Sequence, residues 1–173
     1  MSCPTLIVDG ITIPLQSLLR FDQDYTDLVA QTLNRVADGG GVLRLGWQGK
    51  IETIINATGW VAEPFGNLQY GSPVLMQCAI PRAASSATNV VEVPAGRRSD
   101  GIHVPTAQAL VDGTLVDTTI DSWAGDTATL GVVAGAQSYR VQYFPEFTGV
   151  VTLSESSNNN EGTFRWRLEA EEI

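Results

Sequence analysis

From Ile51 the side chains alternate, with Ile51, Thr53, Ile55 and Ala57 set against Glu52, Ile54, Asn56 and Thr58. A period of two, rich in β-branched residues, fits a strand with one buried face and one mixed face. The alternation stops at Gly59. After Trp60 come Pro64, Gly66, Asn67, Tyr70, Gly71 and Pro73, which require a turning loop before Val74 to Ile80 reads as a second, mostly apolar strand closed by Pro81. The stretch from Leu43 to Arg82 is therefore the strand–loop–strand around which the rest is arranged. Two Asp-Gly pairs extend the pattern. Asp9-Gly10 lies between Leu6-Ile7-Val8 and Ile11-Thr12-Ile13, and Asp112-Gly113 between Gly101–Val111 and Thr114–Ile120. Asp-Gly between β-branched runs is the preferred two-residue hairpin turn.

Further strands are predicted at Asn89–Val93, Thr127–Val133, Gly149–Leu153 and Phe164–Leu168. The last alternates Phe164, Trp166 and Leu168 against Arg165, Arg167 and Glu169, so one face goes to a core. Ser154 to Gly162, with its Ser-Ser-Asn-Asn-Asn run, reads as a solvated loop. Leu15–Phe21 is ambiguous. Asp27–Ala37 is the one place where a helix is arguable: Leu28, Leu33 and Val36 lie partly on one face, Thr26 or Asp27 caps, and Gly39 stops it. The expected fold is mainly β, an antiparallel β-sandwich or barrel-like core with at most one short helix. The 173 residues form a single domain, with 83–138 as an inserted β-hairpin region.

Nineteen acidic residues against ten basic ones give a net charge of −9, and nine of the ten basic residues are arginine. That balance repels phosphate, and the only adjacent basic pair is Arg97-Arg98 in a Gly/Pro-rich loop, so no specific nucleic-acid binding is expected. Cys3 and Cys78 give no disulfide framework, and Cys78 within a strand acts as a small apolar residue. The N-terminus shows no basic segment followed by a long apolar run. No stretch approaches the ~20 apolar residues of a membrane-spanning helix. No membrane insertion is expected, and the protein should stay in the cytosol of its producer or leave it inside an assembly.

Chemistry is hard to assemble from these residues. His103, the single histidine, lies near Ser99 and Asp100, but triad members converge from separated segments, so a surface-loop histidine is the better reading. Gly39-Gly40-Gly41 and Gly49-Lys50 lack the spacing and the hydroxyl of a phosphate loop. Asp22, Asp24 and Asp27 lack the glycine and glutamate that complete a calcium loop, and read as a solvated acidic turn. Glu52 and Glu63 could pair as glycosidase carboxylates only at a separation that sequence does not show. Asn56-Ala57-Thr58 is a glycosylation pattern without a secretory context. No catalytic, cofactor-binding or metal-ligating residue is assigned. The candidate interface residues are the aromatics in or beside loops, Trp47, Trp60, Tyr70 and Trp123. Core packing is their ordinary fate, and Trp60 in particular is expected to plug the edge of the core. Subunit contact comes next and carbohydrate binding last.

The order of Trp47, Lys50, Thr53, Gly59-Trp60, Tyr70, Pro73, Cys78, Pro81 and Arg82 resembles that in structural proteins of siphoviral bacteriophage tail modules, of the distal-tail or baseplate type. Tyr139-Arg140-Val141-Gln142-Tyr143-Phe144-Pro145 and Phe164 to Glu172 look like the closing pair of strands of that group. Val8-Asp9-Gly10-Ile11 looks like its start. Ala83 to Ser138 has no counterpart. The resemblance implies a strand, not a helix, ahead of a turn at Asp38-Gly39. It also implies a virion protein assembled in the host cytoplasm: a homo-oligomeric, ring-forming subunit, without enzymatic activity or cofactor, that links the tail tube to hub or baseplate proteins. The rival class is a host-recognition or carbohydrate-binding module presenting Trp123.

Overall fold

The computed structural model describes residues 5–35, 41–158 and 161–173, and for 30–35 and 41–48 the backbone path alone. The fold is mainly β and antiparallel. Among the described residues there is one 3-10 turn, Leu15–Ser17, and no α-helix. The strands are β1 (Ile7–Val8), β2 (Ile11–Thr12), β3 (Arg20–Arg35), β4 (Gly41–Gly59), β5 (Val74–Gln77), β6 (Arg82–Ser86) and β7 (Val90–Glu92). They continue with β8 (Thr106–Val111), β9 (Thr114–Thr118), β10 (Ile120–Ala124), β11 (Thr127–Leu130), β12 (Ala136–Tyr143), β13 (Glu146–Asn158) and β14 (Thr163–Glu172). Residues 27–35 are therefore strand. Cys3, residues 36–37, the Asp38-Gly39 turn and the first two glycines of the Gly39-Gly40-Gly41 run lie outside the described residues.

The chain divides into two compact units. One comprises the residues through Ile7 together with Met76–Phe147; the other comprises Val8–Leu75 and Thr148–Ile173. The expected insertion, 83–138, falls within the first.

The second unit is built on a sheet ordered β2-β1-β5-β13-β14-β4-β3. Asp9 and Gly10 join β1 to β2 with φ of 51° and 77°, the left-handed pair that a two-residue hairpin turn requires. The alternation read from the sequence is realised: Thr53, Ile55 and Ala57 on β4 and Trp166, Leu168 and Ala170 on β14 are buried, with their neighbours turned outward. Each fully buried aliphatic side chain contributes about 1.5–3 kcal/mol. The polar Thr53 is accommodated because its hydroxyl accepts from Gln23 Nε2 at 3.1 Å and donates to the Asp24 carbonyl at 2.9 Å. Trp166 donates its indole N–H to the Ser17 carbonyl at 3.2 Å, which seats the 3-10 turn on the core.

Several boundaries differ from the sequence reading. Ser154–Asn158 continues β13, because β14 satisfies that backbone through to the Asn158–Thr163 pair. Its exposed polar side chains had the look of a loop, and Asn159 and Asn160 lie outside the described residues. Asp22, Asp24 and Asp27 lie on β3, in a strand instead of an acidic turn. The 139–145 and 164–172 segments are not ladder partners: β12 pairs with β6 and β8, and β14 with β13 and β4.

The first unit contains a three-stranded sheet, β10-β11-β7, and a four-stranded sheet, β6-β12-β8-β9. Val91, Val93, Ala128 and Leu130 from the former and Ala107, Ala109, Tyr139, Val141 and Tyr143 from the latter form one buried cluster. The two sheets thus share a core as a small sandwich. Asp112-Gly113 turns β8 into β9 with φ of 48° and 78°. The run read as one strand, Thr114–Ile120, is divided between the sheets at Thr119. There the Thr119 carbonyl accepts from Gly131 N–H at 2.9 Å and the Thr118 hydroxyl donates to the Gly131 carbonyl at 2.9 Å. β5 ends at Gln77, short of Ile80, because Cys78 N–H leaves its ladder for the Pro145 carbonyl. Cys78 is buried, as a small apolar residue would be.

Candidate functional site

The most polar buried cluster belongs to the first unit and surrounds Arg98, whose side chain is fully buried (0% exposed). Its guanidinium grips Asp100 with two parallel bonds, Nε to Oδ1 and Nη2 to Oδ2, each 2.8 Å. Nη1 donates to the carbonyls of Thr5, Gln77 and Cys78. The planar fork thus ties three separate segments, a task an ammonium group would not perform. Asp100 is held down to a pKa of about 2, first by these hydrogen bonds from Arg98, with the Arg98 and His103 charges adding to the effect and partial burial opposing it.

His103 is buried in the same cluster and is not a surface-loop histidine. Its Nε2 accepts the Thr5 backbone N–H at 3.2 Å, and its Nδ1 lies 3.1 Å from both the carbonyl and the Oδ2 of Asp100. The ring stands edge-on to Phe144 at 4.9 Å. With Nε2 accepting, the neutral ring carries its proton on Nδ1. Both nitrogens are committed, so no nitrogen is left to activate Ser99, and the cluster acts as a staple for the Thr5 segment. The sequence signal was Arg98-Ser99-Asp100, a fork and its carboxylate two residues apart, hidden by weighing Arg97-Arg98 only as a basic pair for nucleic acid.

The candidate aromatics go to different fates. Trp60 is 66% exposed, contrary to the expected core plug. The loop after β4 is instead pinned by Phe65, fully buried, whose ring meets Trp166 edge-on at 5.7 Å. The Pro64-Phe65-Gly66 sequence, a large apolar ring between two turn residues, was the overlooked signal. Tyr70 is 48% exposed and donates to the Phe65 carbonyl at 3.3 Å. Trp123 is 39% exposed and lies near the end of β10, two positions before the turn at Gly125-Asp126. Arg97 stacks over its ring at 4.4 Å while bonded to Asp126 at 2.9 Å. One groove beside Trp123, of about 690 Å³, is lined by Val104, Pro105, Thr106, Asp117, Thr118 and Ile120. Trp47 is placed by its backbone on β4, opposite Ala30, and its side chain lies outside the described residues.

That pairing belongs to a long two-stranded arm. β14 pairs with β4 only from Gly59 to Glu52, whereas β3 and β4 continue to pair with each other from Leu28–Lys50 to Arg35–Gly41. At about 3.3 Å per residue the stretch from Thr26, opposite Glu52, to Arg35 extends the arm roughly 30 Å past the last β14 pair.

Glu52 and Glu63, weighed as a carboxylate pair against the preferred reading of Glu52 as an outward strand residue, each have a different carboxylate beside them. Glu52 lies across the ladder from Glu171, while Glu63 has Glu155 as its carboxyl neighbour. Burial, followed by the hydrogen bond and charge of Glu155, raises the pKa of Glu63 above its usual value, although a backbone hydrogen bond opposes the shift. Burial first, then the Glu155 and Glu63 charges, likewise raise that of Tyr70. No group of three or more metal-ligating side chains occurs among the described residues. Comparisons of the chain with protein-family models, with curated proteins and with solved structures find no match.

Proposed function

We propose that this chain is a structural subunit of a phage tail tip, of the distal-tail type. In this reading it assembles with copies of itself and with neighbouring tail-tube, hub or baseplate proteins, and carries no catalytic activity. The observation that supports assembly is the arm. A two-stranded ribbon beyond its sheet is marginal in water alone, and among the described residues no third strand covers its outer edges, whose backbone can pair with a neighbour. Trp47 on that arm and the exposed Trp60 and Tyr70 supply aromatic anchors of the kind that dominate subunit contacts. The tail assignment itself comes from the sequence resemblance.

Mass spectrometry of purified particles tests the reading: the protein should be present in several copies per tail. A variant in which an Asn-Gly turn replaces residues 31–46 should fold yet fail to be incorporated. Absence from particles that infect normally would sink the proposal.

A second reading, a host-recognition or carbohydrate-binding module, draws on the groove beside Trp123, where an aromatic face, the Asp117 carboxylate and the Thr118 hydroxyl adjoin. Isolated protein that binds host cells or their glycans, and loses that binding on Trp123→Ala with its fold intact, would favour this reading over the first.

A further inference from the structure

The outward face of the β13-β14-β4-β3 sheet is polarised along the strands. Register places Arg165 opposite Thr58 and Thr58 opposite Arg20, with Arg167 and Asn56 in the next row beside Asp22. One end of the face therefore carries three arginines against one carboxylate. In the following two rows stand Glu169 and Asp24, flanking Ile54, and then Glu171 directly opposite Glu52. That end carries four carboxylates and no cation. Lys50, next along β4, is committed to the Ile173 main-chain oxygen. Two contacts soften the polarity without removing it: Arg167 meets Glu169 across the middle, and Arg165 lies 3.5 Å from Glu161.

Like charges directly opposite in a ladder destabilise a sheet, so the Glu171–Glu52 pair is a local choice that opposes the fold carrying it. Such a choice is offset when an opposite charge is brought to it. The same face supplies that charge at its other end, at the same two-residue spacing along the strand. A half-turn about an axis lying in the contact plane and perpendicular to the strands sets the arginine end of one copy over the acidic end of the other, twice, by symmetry. This is the self-complementary geometry of a two-fold contact.

We infer that this polarised sheet face is a docking surface for a second copy of the chain, the two sheets packed face to face and antiparallel, with Arg20, Arg165 and Arg167 of each copy against the Glu52, Glu169, Glu171 and Asp24 set of the other. Four strands about 4.8 Å apart and four rows about 6.8 Å apart give roughly 500 Å² per copy, below the ~800 Å² per partner of a standard interface. The dimer is therefore weak and governed by charge. The inference deepens the assembly reading by naming one contact face, and the two fail separately: absence from particles removes the tail proposal and leaves this face standing.

The test uses sedimentation of the full chain together with two charge-reversed variants, Arg165→Glu/Arg167→Glu and Glu52→Arg/Glu169→Arg/Glu171→Arg, each checked for an unchanged melting transition. Wild type should dimerise in about 10 mM salt and dissociate in about 1 M salt, as the screening length falls from ~30 Å to ~3 Å. Each variant alone should be monomeric. An equimolar mixture should form a one-to-one dimer, because one variant is then acidic at both ends and the other basic at both ends. Arginine-face variants that do not fold would be replaced by Arg20→Glu and Arg167→Gln in the same mixing design. Wild type that stays monomeric in low salt, or variants that dimerise as wild type does, would overturn the inference. So would a mixture that restores nothing, or an arginine end that binds polyanions such as heparin while no dimer forms.

Discussion

Replacing Arg98 by alanine should be the most damaging single truncation in the first unit. The guanidinium is fully buried and donates to both Asp100 oxygens and to the carbonyls of Thr5, Gln77 and Cys78. Removing one partner of a buried ion pair costs about 3–5 kcal/mol, and each carbonyl left without a donor about 1–3 kcal/mol. The Asp100 carboxylate is half-exposed and rehydrates, and water entering the emptied volume rescues some of the carbonyls. The expected loss is therefore about 4 kcal/mol, which for a chain of this length lowers the melting temperature by roughly 10 °C. Arg98→Lys should lose about half as much, since a single ammonium retains the charge and forfeits the fork. Urea denaturation followed by tryptophan fluorescence, supported by calorimetry, measures these differences. The pH dependence has a definite sign. Because Arg98 holds the Asp100 pKa at about 2 in the folded chain against an ordinary 3.8, the pair's contribution is fully present above pH 3.8. It is lost as pH falls through about 2, so the gap between wild type and Asp100→Asn should close over that window. An Arg98→Ala protein within about 0.5 kcal/mol of wild type, the range of an ordinary surface substitution, would refute the assignment of the staple.

Gly59→Ala should destabilise the second unit by about 3 kcal/mol in the same denaturation assay, because a Cβ there would lie 2.2 Å from the Gln16 carbonyl oxygen and 2.4 Å from Ser17 Cα, backbone that cannot step aside. Phe65→Ala should cost about 3–5 kcal/mol and Trp60→Ala less than about 0.5; the reverse order would restore Trp60 as the plug. Glu63→Gln should stabilise at neutral pH: burial and Glu155 raise the folded pKa, so stability from the protonated acid is complete below the ordinary 4.5 and lost as pH rises through the folded value. Melting curves of Glu63→Gln and wild type should therefore converge below pH 4.5, and a gap independent of pH would exclude the carboxyl pair.

Where a signal was local, the sequence carried the fold. Asp9-Gly10 and Asp112-Gly113 turn where two-residue hairpins should, and Gly59 closes β4. What misled was polarity standing in for conformation. Ser154 to Asn158 is polar because both of its faces meet solvent, yet β14 pairs its backbone throughout. Trp60 and Phe65 show the converse: both are large and apolar within six residues, and which one enters the core depends on how the loop re-approaches Trp166, a long-range fact that composition does not contain. The candidate aromatics were legible as residues in or beside turns, but the exposure of Trp60, Tyr70 and Trp123 was not, since core packing was expected of them; nor was the arm that carries Trp47, because its extent is defined by where β14 stops. His103 was misplaced for the same reason, its Nε2 partner lying at Thr5, far away in the chain.

The preference for arginine over lysine acquires a physical cause once the arginines are located. Arg98 is buried where only a planar, weakly hydrated fork can serve a carboxylate and three carbonyls together. Arg97 uses its flat face on Trp123 while its nitrogens hold Asp126 and the carbonyls of Pro94 and Gly125. Arg20, Arg165 and Arg167 stand on the exposed sheet face, where a lysine would give the same sign of charge but no bidentate grip on a carboxylate. Replacing these three by lysine would leave the charge pattern intact, so comparing Lys and Glu replacements separates long-range attraction from geometry. If the face pairs through forked contacts with Glu52 and Glu171, the triple lysine variant should dimerise at least tenfold more weakly than wild type at the same salt. A loss of one forked bond at each of the two symmetric ends, about 0.7 kcal/mol each, is enough for that factor. If charge alone governs the contact, the lysine variant should match wild type while the glutamate variant remains monomeric.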